Sequence, residues 1–178
     1  MIRRALPLAA LLFAAPAFLG AAGDTVRVTP LARDGQVYVS FSLEGGLTPD
    51  MRETIRSGLQ TTFAYDVELR RGVAIWFDPT LATATVTATV QFDNLTRRHQ
   101  LSRAIDGRVD AAEVTESEEE VERWMTSVDH LPLFTTDSLE ANAEYYVRVR
   151  ARTRPRSTWS LWPWGGGQWG HATFTFIP

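Results

Sequence analysis
The 178-residue chain contains no Cys and no Lys, and it has only three His. Without Cys there is no disulfide framework, no thiolate metal site, no Cys nucleophile and no lipid-modified N-terminal Cys. His99, His130 and His171 lie far apart and supply neither an HExxH motif nor a close pair with metal-ligand spacing. They read as surface or turn residues, with a meeting of His99 and His171 across a sheet as the alternative. No GxSxG elbow serves a Ser nucleophile, and the run Gly165-Gly166-Gly167 lacks the Lys-Ser/Thr of a phosphate loop. Beyond the N-terminus no stretch of 18 uninterrupted apolar residues exists, so no transmembrane span is expected in the mature chain. A formal charge of −3 does not suit a nucleic-acid binder, and no cofactor is implied.

What is present is the composition of a folded domain, 44% hydrophobic and 22% charged. Met1-Ile2-Arg3-Arg4 followed by apolar Ala5–Leu19 and the small residues Gly20, Ala21, Ala22 and Gly23 reads as a secretory signal peptide. Cleavage is expected after Ala22, with Ala15-Pro16-Ala17 as a second candidate and an uncleaved anchor as the alternative. Residues 1–22 are then the signal and 23–178 a single β-rich domain. Removal of Arg3 and Arg4 leaves 16 Arg against 21 acids, a net charge of −5. A periplasmic or secreted address follows as an expectation.

The rest of the chain is punctuated into strands and two helices. Val37, Val39, Phe41 and Leu43 alternate with polar residues, and Val26–Leu31 can pair with them across Arg33-Asp34-Gly35. Thr48-Pro49 starts a helix with Met51, Ile55 and Leu59 on one face and Gly58 at its end. Thr61–Leu69 alternates strictly, continuing into Val73–Phe77, and Ala82–Phe92 alternates with a row of Thr. Asp93-Asn94-Leu95-Thr96 turns that strand into Arg97–Ile105. Capping-box spacing at Thr115/Glu118 and Ser117/Glu120 opens a second helix, whose stripe is Val121, Trp124, Met125 and Val128. Ala143–Thr153 and Ala172–Ile177 close the chain as strands. The expected fold is mainly β, an antiparallel sandwich-like or barrel-like sheet with two covering helices, with α+β as the alternative.

The order of Phe41-Ser42-Leu43-Glu44-Gly45, Ser57-Gly58-Leu59 through Phe63, Val67-Glu68-Leu69 and Trp76-Phe77-Asp78 carries a resemblance. The hairpin Phe92–Arg98 and Glu144-Tyr145-Tyr146-Val147-Arg148-Val149-Arg150 complete it. From about Val26 to Ile177 the chain resembles the secreted bacterial domain-of-unknown-function family numbered 4390. The resemblance implies export and a shared fold, and carries no activity, substrate or catalytic residue. His99 stands where an aromatic is usual in that family, and the Trp-rich insert is larger.

Two features stand out for function. Arg148, Arg150, Arg152 and Arg154 alternate with Val147, Val149, Ala151 and Thr153, so a strand places all four on one face, about 7 Å apart. Either the carboxylates of a neighbouring strand, Asp66 and Glu68 first, compensate them, or an external anion does. The segment Trp159–Trp169 holds four Trp, Trp159, Trp162, Trp164 and Trp169, among Pro and Gly. Trp169 is expected to pack in the core, and the loop to offer Trp159, Trp162 and Trp164 to a partner. The acids Glu113, Glu116 and Glu118–Glu120 read as a solvated helix start rather than a Ca²⁺ loop, and Asn94-Leu95-Thr96 as turn chemistry.

The expected function is an exported, non-catalytic binding or scaffold domain of the bacterial envelope. Its partner would be an envelope protein, a glycan or the membrane interface. The alternatives are an envelope glycan hydrolase using the Asp66/Glu68 pair, and a purely structural domain.

Overall fold
A computed structural model of the chain describes residues 26–72, 79–154 and 168–178. The expected signal peptide, the Val73–Phe77 run and the loop Trp159–Trp164 lie outside the described residues. In chain order the elements are β1 (Val26–Arg33), β2 (Gln36–Leu43), α1 (Pro49–Arg56), β3 (Thr61–Arg71), β4 (Thr80–Asp93) and β5 (Arg98–Ile105). They continue with β6 (Arg108–Thr115), α2 (Glu118–Thr126), β7 (Ser127–Thr135), β8 (Glu144–Arg154) and β9 (Gln168–Thr175).

The strands form two antiparallel sheets, β1-β2-β7 and β6-β5-β4-β3-β8-β9, which pack together without closing into a barrel. The mainly-β, sandwich-like fold is therefore found, and the barrel-like form is not. Period-two burial drives it: Phe63, Tyr65, Val67 and Leu69 of β3, Ala84, Val86, Ala88 and Val90 of β4 and Tyr145, Val147, Val149 and Ala151 of β8 point inward and are buried. The small sheet answers with Val37, Val39, Phe41 and Leu43 from β2 and Val128, Leu131 and Phe134 from β7. The rings of Phe41 and Tyr65 meet between the sheets at 4.7 Å.

Both hairpins with a two-residue Asp-Gly turn have their strands joined by positive φ at both positions. Asp34 and Gly35 sit at +50° and +76°, Asp106 and Gly107 at +48° and +80°. That handedness matches the strand twist, which is why Asp-Gly selects such turns. The Asp106-Gly107 turn launches β6, a strand that period-two reading misses because nearly all its side chains are exposed and a register shift near Ala104 breaks its alternation.

The helices cover the inner face of the large sheet where the small sheet ends. In α1, Thr48 caps the Met51 N–H at 3.3 Å and Pro49 takes the first turn. The helix stops at Arg56, with Gly58 left-handed at φ +85°, so only Ile55 of the expected stripe is buried within it. Leu59 lies past the turn and is exposed. In α2, Ser117 caps the Glu120 N–H, and Val121, Trp124 and Met125 are buried. Val128 is buried too, but from β7: backbone at Ser127 turns straight from helix into extended geometry, with no intervening loop.

The end of α2 is fixed by two side chains from the large sheet. Tyr65 donates its hydroxyl to the Met125 carbonyl at 2.6 Å, and Arg103 donates to the carbonyls of Trp124 and Ser127, both at 3.2 Å. Those are carbonyls a helix cannot satisfy by itself. The Arg103 guanidinium also stacks on the Trp124 ring at 4.4 Å.

Candidate functional site
The outer face of the large sheet is set by the register of β9, β8, β3 and β4. Arg148 pairs across to Glu68 on one side and His171 on the other, and Arg150 pairs to Asp66 and Trp169. Arg152 stands opposite Ala64, and Arg154 opposite Thr62. The expected arginine row is therefore real over Arg148, Arg150 and Arg152, whose inward neighbours are buried. Arg154 continues the row in the backbone, its side chain lying outside the described residues.

The carboxylates do not pair straight across. Asp66 accepts from Arg152 at 2.5 Å, one step along the diagonal, and Glu68 has Arg70 at 3.9 Å. Arg148 and Arg150 have no ion pair among the described residues. Instead Arg148 lies flat on Trp169, 3.6 Å from the ring centre, and Arg150 stands 5.1 Å from the same ring. The Arg150 Nε is buried without a hydrogen-bond partner among the described residues. Among the described residues, Arg148, Arg150 and Arg152 share this face with the carboxylates of Asp66 and Glu68. A guanidinium over a ring uses its flat face there. Neither Arg148 nor Arg150 donates a side-chain hydrogen bond among the described residues, so their remaining N–H groups can meet an anion.

Trp169 corrects an expectation: it is not in the core but 41% exposed on this outer face. The reason lies one residue on. Gly170 takes the inward position because the β1 backbone crosses there, and a Cβ on Gly170 would sit 2.1 Å from the Val26 carbonyl oxygen. With Gly170 inward, the alternation of a strand forces Trp169 outward. The expected sites Trp159, Trp162 and Trp164 lie outside the described residues.

His99 corrects a second expectation. It is 5% exposed, on the inner face of β5, with its ring 4.7 Å from Phe92 and its Nδ1 lacking a partner among the described residues. It borders a cavity of about 10 Å³ also lined by Leu47, Ile55 and Val121, room for one water molecule. His171 is on the opposite face, beside Arg148, so the two His do not meet.

Five acids around α2 are engaged. Glu118 accepts from Arg56 at 2.7 Å, and this hydrogen bond holds its carboxyl below the usual range. Glu122 pairs with Arg52 at 2.9 Å and Glu116 with Arg98 at 2.9 Å, while Glu120 meets the Thr115 hydroxyl. The hydrogen bond from Ser117 lowers Glu119. Among the described residues no group of three or more His, Asp or Glu gathers as a metal ion would need. No described helix is long and apolar enough to cross a membrane. In the sequon, Asp93 Oδ1 accepts from the Leu95 N–H at 2.8 Å, the turn chemistry expected there.

No curated protein and no solved structure matches the chain. A family model does, over residues 22–158, a span that carries β1 to β8 and ends before Trp159. The chain belongs to that family, described as a domain of unknown function (DUF4390).

Proposed function
We propose that the chain is an exported, non-catalytic binding or scaffold domain of the bacterial cell envelope, and that the outer face of β8 and β9 grips an anionic partner. The observation that carries this reading is the pair Arg148 and Arg150. Asp66 and Glu68 stand directly across from them, yet neither Arg forms an ion pair among the described residues, and both gather at an exposed Trp ring. Among the described residues, only Arg152 of the row takes one of the carboxylates on the neighbouring strand, whereas a row held for stability alone would pair throughout. Basic residues beside an aromatic are the composition of an anchor at an interface.

The carboxylate pair supports the non-catalytic reading as well. A two-carboxylate hydrolase keeps one acid protonated in an apolar pocket. Asp66 and Glu68 are each more than a quarter exposed and each has an Arg beside it.

The export half is tested by expressing the full chain with its natural N-terminus and weighing the protein from the periplasmic fraction. A mass lacking residues 1–22 is expected, and an intact chain in the cytoplasm refutes it. The binding half is tested by sedimentation with purified bacterial envelopes at low and high salt. The parent should co-sediment in a salt-dependent way and an Arg148→Gln/Arg150→Gln variant should stay in solution with an unchanged melting temperature. Equal sedimentation of the two proteins would remove this face as the contact.

A further inference from the structure
The outer face does not end at the arginines. Across β3, β4, β5 and β6 the same register runs from Arg152 through Ala64 and Thr87 to Ala104, and from Arg154 through Thr62 and Thr89 to Ser102 and Ala112. The next row is Gln91, Gln100 and Val114. A trough of about 400 Å³ follows these rows, lined by the polar Gln60, Thr89, Gln91, Gln100 and Ser102, with Leu101, Ala112, Val114 and Glu113 also on its lining. Thr62 and Thr89 share a hydrogen bond of 2.9 Å along the way.

This half of the face differs in chemistry from the other. Amides and hydroxyls are donors and acceptors at once, and they carry no charge. That is the complement of a sugar hydroxyl. The guanidinium half is the complement of a carboxylate or sulfate. The two halves are offset by three strand spacings across the sheet, about 14 Å, and by four to eight residues along it, about 14–27 Å. An oligosaccharide of several sugars covers that span of roughly 20–31 Å. Arg148 lies over the Trp169 ring, and Arg150 and Asp66 share its row, so the exposed aromatic here is set among charges.

Resting on the anion-gripping surface proposed above, we infer that the occupant is an acidic polysaccharide. Its acid groups lie on Arg148 and Arg150, and its hydroxyls lie along Thr87 and Thr89 to Gln91 and Gln100. No bond is made or broken.

The test is affinity electrophoresis of the full chain in gels containing polygalacturonate, with neutral dextran as a second probe. Sedimentation with phosphatidylcholine vesicles containing phosphatidylglycerol is run alongside. Polygalacturonate should retard the parent and dextran should not. Arg148→Gln/Arg150→Gln should weaken the retardation roughly tenfold and flatten its salt dependence. Gln91→Ala/Gln100→Ala should weaken it severalfold with the salt dependence kept. Polygalacturonate binding indifferent to the Gln pair, or equal retardation by dextran, overturns the inference. Vesicle binding that needs the Arg pair, with no polygalacturonate binding, also overturns it while the anion-gripping surface stands. Binding to neither probe removes both.

Discussion

Gly170→Ala isolates the contact that orients the candidate surface. The added Cβ would lie 2.1 Å from the Val26 carbonyl oxygen, 2.8 Å from the Val26 carbonyl carbon and 2.9 Å from the Val26 Cβ. Ordinary contact begins near 3.4 Å, so the strands must part by about 1.3 Å at this point. The first two obstacles are backbone atoms, so no rotamer change relieves them. Overpacking a core costs about 1–3 kcal/mol, and a rigid obstacle places this variant near the top, about 3 kcal/mol. For a chain of this size that lowers the melting temperature by roughly 6–12 °C. Gly35→Ala is the comparison: nothing lies within 4 Å of its Cβ, and only the φ of +76° is strained, worth about 1 kcal/mol. Urea and thermal denaturation measure both, and hydrogen exchange of the β9 amides shows whether the loss is local detachment of that strand. If Gly170→Ala stays within about 0.5 kcal/mol of the parent with unaltered β9 protection, β1 does not pack on β9 as described.

Tyr65→Phe leaves the Met125 carbonyl without its buried donor and should cost about 1–3 kcal/mol in urea denaturation; no loss refutes the role of that hydroxyl. Burial also pushes the Tyr65 hydroxyl up, so the unfolded chain ionises first and stability falls as pH rises beyond about 10. That alkaline loss should be smaller in Tyr65→Phe, and an identical alkaline profile would contradict it. Ser117→Ala removes the α2 cap and should cost about 1 kcal/mol by the same assay, with no change pointing to Thr115 as the effective cap. Arg56→Gln should let the Glu118 carboxyl rise toward its ordinary range in an NMR titration. In the parent, the stabilisation from that pair is present above the ordinary carboxylate range and is lost as pH falls through the lowered value. An unmoved Glu118 titration in Arg56→Gln would show that the hydrogen bond is not its cause.

Alternation made β2, β3, β4 and β8 legible because one face of each is buried, and it made the arginine row legible for the same reason. β6 was hidden because a strand exposed on nearly every residue has no period-two contrast, although Asp106-Gly107 announced its turn. β7 was hidden by continuity: Val128 follows the α2 stripe in spacing, and no Gly or Pro separates helix from strand at Ser127. The placements of Trp169 and His99 could not be read from their own types. Trp169 faces outward because a neighbouring Gly admits a distant backbone, and His99 is buried because two helices close over β5. Both depend on partners far along the chain. That Arg148 and Arg150 form no ion pair among the described residues was likewise beyond spacing, since it turns on Asp66 choosing the diagonal Arg152.

The crossing of β1 over Gly170 also has a kinetic meaning. It joins the first described strand to the last, so the loop it closes is almost the whole domain. The β1–β2 and β5–β6 hairpins are local and can form early, but the contact of β1 with β9 waits for the closing strand. High separation between contacting residues slows folding, because loop closure must precede the contacts that reward it. The Arg–Trp surface is therefore assembled late, together with the closing strand, and a chain that has not docked β9 does not yet display it.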